Sequence, residues 1–173
     1  MQINIKTSAD NQVRVSNLTQ KLPGGAKENI IARIALGYSL STGRRFKENE
    51  FGIYDSQGKE YKEHILFDST YRDFYVALIC QAYGISKNNE LIPKYIKLHI
   101  DHGLEAIGYL FENNLQYTFF DFLIANLGKG IDAIEDAPVS LDAVKNNNQH
   151  IDKRSFTGPI DIKIGYNPKT QEP

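Results

Sequence analysis

Residues 1–22, MQINIKTSADNQVRVSNLTQKL, hold two periodicities in succession. Ile3 and Ile5 alternate with Gln2, Asn4 and Lys6, the period-2 pattern of a strand with one face buried and one exposed. From Ser8 onward the spacing lengthens, and Val15, Leu18 and Leu22 recur at i, i+3 and i+7. Ser8 suits an N-cap, and Asp10 stands in the first turn, where the helix dipole favours negative charge. The start therefore predicts one strand feeding one helix, with a polar strand face left over.

The rest of the chain extends this beginning. Pro23, Gly24 and Gly25 predict a tight turn, and KENIIARIALGYSLSTG (27–43) predicts a second helix ending near Gly43. Its apolar stripe of Ile30, Ile31, Ile34, Ala35 and Tyr38 faces away from Leu36 and Leu40, so burial on nearly all sides is expected, and with it a second subunit. Arg33, the one charge in its middle, is expected to snorkel outward or to meet a carboxylate. FGIYDSQGKEYKEHILF (51–67) predicts a small hairpin turning at Asp55–Gly58. STYRDFYVALICQAYG (69–84) predicts a third helix stopped by Gly84, with Cys80 a buried, inert thiol. The longest helix is expected over 91–114, with Pro93 in its first turn, and a fourth segment over 118–134. Beyond it, EDAPVSLDAVKNNNQH (135–150) has the composition of a linker, and Ile160, Ile162 and Ile164 restore alternation for a terminal strand.

Composition narrows the class. With 173 residues, 41% apolar and 24% charged, the chain matches a globular domain with an extension. One cysteine excludes an internal disulfide and suggests a reducing, cytoplasmic compartment. No apolar run approaches the ~20 residues of a membrane span, and no signal peptide is evident. The net charge of −1 conceals an asymmetry: residues 1–47 carry eight Lys and Arg against two acidic residues, +6, leaving −7 for the remainder. A basic head on an acidic body suits a polyanion-facing surface, or an ordinary solvated one.

Signs of catalysis are weak. HIDHG (99–103) spaces His99 and His102 by three with Asp101 between them, but no third ligand is well placed, so packed or hydrogen-bonded histidines are expected and no metal. GGAKEN lacks Walker A spacing, and no nucleophilic triad can be assembled. The strand–helix–turn–helix order with its basic bias is instead the plan of ribbon–helix–helix DNA binders, in which strands from two copies pair to form a ribbon. On that plan Gln2, Asn4 and Lys6 meet base edges or phosphates, and Lys27 at the second helix's start meets a phosphate. Arg14, Lys21, Arg44, Arg45 and Lys47 supply further charge to the same nucleic-acid interface. The expected fold class is mainly α, a ribbon–helix–helix-like strand–helix–helix core with additional helices and a small hairpin.

Four blocks in this order and spacing, ENIIARIALGYSLSTG (28–43), YDSQGKEYKEHILF (54–67), YRDFYVALICQAYG (71–84) and IPKYIKLHIDHGLEAI (92–107), resemble the DndE family. That family is the small subunit of the bacterial DNA phosphorothioation system, and the resemblance covers roughly residues 1–113. It implies a helical protein that assembles into a tetramer and binds duplex DNA, including nicked duplex, beside the other Dnd proteins. No catalytic residue and no cofactor is implied. Residues 114–135 form an additional helical segment on this reading, and 136–173 a linker and terminal strand that begin a further domain. IDIKIGYNPKTQEP (160–173) resembles the lead-in to FtsK/HerA-type ATPases, although no nucleotide loop follows it. The expected function is a non-catalytic DNA-binding subunit. The alternatives are a scaffold for the other Dnd subunits or the DNA-engaging adaptor of a longer ATPase.

Overall fold

The computed structural model describes residues 2–21 and 26–135. Residues 1–131 form one unit and 132–173 a second, of which 132–135 are described. The expected turn at Pro23–Gly25, the linker and the terminal strand therefore lie outside the described residues.

The described chain is mainly helical, with a strand–helix–helix core made by β1 (Ile5–Lys6), α1 (Ala9–Lys21) and α2 (Glu28–Ser41). A 3-10 turn at Glu48–Glu50 leads to β2 (Glu60–Tyr61), a short α3 (Glu63–Leu66), α4 (Asp68–Tyr83), α5 (Ile92–Glu112) and α6 (Phe119–Glu135). Two sequence signals do what they predict. The Ser8 hydroxyl accepts the Asn11 N–H at 3.4 Å as an N-cap, and Gly84 ends α4 at φ 63°, the left-handed conformation that glycine adopts without strain.

The hairpin expected within 51–67 does not form. Its strand residues pair with β1 instead, antiparallel, with Ile5 opposite Tyr61 and Lys6 opposite Glu60. Asp55 still shapes the turn, since its Oδ1 accepts the Gln57 N–H at 2.8 Å. The same oxygen accepts the Ala9 N–H at 3.0 Å and so caps α1 from 46 residues away. These two N–H groups hold the Asp55 carboxyl below the usual carboxylate range. Gly58 closes the arrangement: a Cβ there would lie 2.0 Å from the Ser8 carbonyl oxygen. The strand thus has a partner inside its own chain.

The helix buried on nearly all sides is α5. Ile92, Ile96, Leu98, Ile100, Leu104 and Ile107 are all 3% exposed or less, and α1, α2, α4 and β1 pack around them. Each such side chain contributes about 1.5–3 kcal/mol when fully buried. Leu36 of α2 is also fully buried, within the single chain, and Leu40 is half-buried. The burial of α2 therefore requires no second subunit, contrary to the expectation drawn from its sequence. Where α2 crosses α5 the backbones touch: a Cβ on Gly103 would sit 2.0 Å from the Ala35 carbonyl oxygen. Among the described residues Arg33 meets no carboxylate. Its guanidinium lies 4.8 Å from the Tyr71 ring centre and donates to the Leu66 carbonyl at 3.4 Å. Cys80 is half-buried rather than enclosed.

Candidate nucleic-acid interface

The alternation at the N-terminus becomes two faces. Ile3 and Ile5 are buried, whereas Gln2, Asn4 and Lys6 are all exposed. The strand is held against the body by backbone donors: Ile3 N–H to Glu63 Oε2 at 2.7 Å, and Thr7 N–H to the Lys59 carbonyl at 3.0 Å. Lys59 Nζ then reaches Glu28 Oε2 at 3.0 Å, tying the strand pair to the first residue of α2. Lys27, the N-cap residue of α2, stands beside that bridge and is exposed. Among the described residues the side chains of Lys6, Lys27 and Lys47 make no hydrogen bond or ion pair.

The other expected contacts are elsewhere and have local partners. Arg44 pairs with Glu50 at 2.5 Å and lies over the Phe46 ring. Arg45 donates through Nε to the Ala82 carbonyl at 2.9 Å, near the end of α4, and through NH1 to the Arg44 carbonyl at 2.9 Å. Arg44, Arg45 and Lys47 follow the C-terminal end of α2, whereas Lys6 and Lys27 flank its N-terminal end, ~21 Å away for a helix of 14 residues. Arg14 and Lys21 line a third region, a groove between α1 and α5 of about 580 Å³ that Leu18 and Phe111 also border. There Arg14 donates to Asn11 Oδ1 at 3.0 Å, and the Lys21 ammonium lies 5.7 Å from the Phe111 ring centre. The nine residues expected at one interface are therefore spread over three regions of a single chain.

Two buried networks explain the polar residues of α5. Asp101, fully buried, accepts the Ser8 N–H at 2.9 Å, Asn11 Nδ2 at 2.7 Å and the Lys97 ammonium at 2.7 Å. The second network joins the histidines. Ser39 Oγ lies 2.7 Å from His99 Nδ1 and 2.8 Å from His102 Nδ1, and Tyr83 Oη lies 2.7 Å from His99 Nε2. The Phe46 N–H also donates to Tyr83 Oη at 3.0 Å. The network fits a neutral His99 that accepts at one ring nitrogen and donates at the other. Burial above all, with His102 and the two arginines adding to it, pushes the His99 pKa down to about 3.

The sequence gives no sign that Lys59 reaches Glu28 to tie the strand pair to α2, because KEYKE (59–63) predicts a hairpin strand and offers no other signal. Nor does the sequence show Asp101 as an anchor of the N-terminus, since Ser8 and Asn11 lie 93 and 90 residues away. Among the described residues no helix is long and apolar enough to cross a membrane, and no group of three or more His, Cys, Asp or Glu is placed to hold a metal ion.

No curated protein matches the chain. Among solved structures it is similar to DndE from Escherichia coli B7A, a protein involved in DNA phosphorothioation modification. That match has 16% identity and a TM-score of 0.46, covering 60% of this chain and 95% of the other. Residues 4–114 match the family model of the DNA sulphur modification protein DndE, and the chain belongs to the DndE family.

Proposed function

We propose that this protein is a non-catalytic DNA-binding subunit of the phosphorothioation system, working in the cytoplasm beside the other Dnd proteins. The observation that carries the reading is the exposed row of Gln2, Asn4 and Lys6 leading through β1, with Lys59 bridging the strand pair to Glu28 at the start of α2, where Lys27 has no ion pair among the described residues. Amides and ammonium groups on a strand face suit base edges and phosphates, and a cation at a helix N-terminus suits a phosphate. A second cluster, Arg44, Arg45 and Lys47, follows the other end of α2, and the two become a longer track when copies assemble. A homo-oligomer, a tetramer on the family resemblance, is therefore part of the proposal.

Carboxylates beside these cations, Glu28, Glu50 and Glu60, keep the local charge modest. Binding is accordingly expected to be weak per chain and strongly salt-dependent. Titration of the full protein against intact and nicked duplexes of one sequence, at several salt concentrations, tests the reading. Binding that weakens steeply with salt supports it, and tighter binding of the nicked duplex supports the nick preference. Absence of binding at the lowest salt, with firm capture of other Dnd proteins, favours the scaffold instead.

A further inference from the structure

Helix α6 lies beyond the residues matched by the family and presents two different apolar faces. One is spent on the body of the molecule. Phe122 is buried, with its ring centre 5.5 Å from that of Tyr38, 6.3 Å from Phe111 and 5.7 Å from Phe119. The half-buried Asn126, one turn on, donates to the Phe122 carbonyl at 2.7 Å. The other face is bare. Phe120, Leu123, Ile124, Leu127 and Ile131 are between 41% and 69% exposed. At about 100° per residue these five fall within one stripe, turned away from Phe122. The charged residues Asp121 and Lys129 fall outside it.

We propose that this stripe is an interface between two copies of the chain, with two α6 helices packed antiparallel about Leu127. Three features favour a second copy as the occupant. Leu123 and Ile131 stand four residues before and after Leu127, so a two-fold axis there sets each against the other's counterpart. The stripe contains no charge, so the pairing desolvates no ion, and the chain's net charge of −1 leaves little repulsion between copies. Gly130 at the edge of the stripe has open space where a Cβ would be, which lets two helix backbones come close. The five side chains leave on the order of 500 Å² of apolar surface bare. A symmetric pair buries on the order of 1,000 Å², near the lower limit for a specific interface.

This contact serves the assembly proposed above but rests on α6 alone. It is tested without DNA, so its failure leaves the DNA reading standing. The full chain carrying Cys80→Ser and Leu127→Cys is expected to form a disulfide-linked dimer under mild oxidation. The same chain with Lys129→Cys in place of Leu127→Cys, on the far side of the helix, is expected to remain uncrosslinked. Leu127→Glu should halve the mass seen by sedimentation while the helical circular dichroism is kept. A wild-type monomer at tens of micromolar, an unchanged mass for Leu127→Glu, or equal crosslinking at 127 and 129 overturns the proposal.

Discussion

Asp101 Oδ1 accepts the backbone N–H of Ser8 at 2.9 Å, joining the centre of α5 to the junction of β1 and α1 across 93 residues of sequence. The same carboxylate holds Asn11 and the Lys97 ammonium, whose side chain is only 13% exposed. Asp101→Asn keeps the shape but turns an NH₂ toward a donor and leaves Lys97 without its counter-charge. Breaking a buried pair from one side costs on the order of 3 kcal/mol. Urea denaturation should show a loss of that size. A loss below about 1 kcal/mol would mean that this network does not anchor the strand.

The crossing of α2 and α5 allows a paired test. Gly103→Ala places a Cβ 2.0 Å from the Ala35 carbonyl oxygen, so the helices must separate. Overpacking of this kind costs about 1–3 kcal/mol or more. Gly37, also on α2, has nothing within 4 Å of where its Cβ would stand. Gly37→Ala should therefore leave stability unchanged or raise it by up to ~1 kcal/mol through helix propensity. Thermal melts should shift downward for Gly103→Ala and hold or rise for Gly37→Ala.

Acid should loosen the fold before the carboxylates titrate. His99 is buried and neutral in the folded chain, with its pKa pushed down to about 3, against about 6.5 when unfolded. The unfolded chain then binds the extra proton between these values. Stability is full above about pH 6.5 and is lost as pH falls below it, by about 1.4 kcal/mol per pH unit for one proton. His102, also lowered by burial, acts in the same direction. Denaturation midpoints should fall between pH 7.5 and 5, and His99→Gln should flatten the slope. A midpoint constant over that range contradicts the buried neutral imidazole.

Local features of the fold were legible in the sequence where the physics is local. Ser8 as a cap, Gly84 as a helix stop, and the inward Ile3 and Ile5 all depend on residues within a few positions. Pairing over distance was not legible. Glu60 and Tyr61 alternate as any strand does, and nothing near them says that Ile5 and Lys6, 50 and more residues earlier, complete the sheet. Nor does the apolar back of α2 announce that α5 and its neighbours cover Leu36 within one chain. At the candidate interface, charge gave the residue types but not their neighbours. Arg44 and Arg45 resemble free cations in sequence, yet Glu50 and the Ala82 carbonyl occupy them.

That occupation changes what Arg45 can report. Its Nε bond to the Ala82 carbonyl satisfies an acceptor near the end of α4, where a cation also suits the helix dipole. Arg45→Ala should cost about 1 kcal/mol of stability, a shift of a few degrees in melting temperature. Arg45→Lys, which keeps the charge but loses the geometry, should recover only part of it. Full stability in Arg45→Ala would free this residue for a role in binding alone.

Lys6, Lys27 and Lys47 carry the cleaner test of DNA binding, because no ion pair in the described chain depends on them. Each phosphate contact contributes close to one unit to the slope of log affinity against log salt. Such contacts carry no base information, so their loss should weaken all duplexes alike. The decisive measurement is that salt slope, in the full protein and in Lys6→Ala/Lys27→Ala/Lys47→Ala, after melts confirm equal stability. The expected result is an affinity reduced on every duplex and a slope shallower by two to three units, on the order of one per lysine removed. An unchanged affinity and slope in the folded triple variant would contradict DNA contact through these residues.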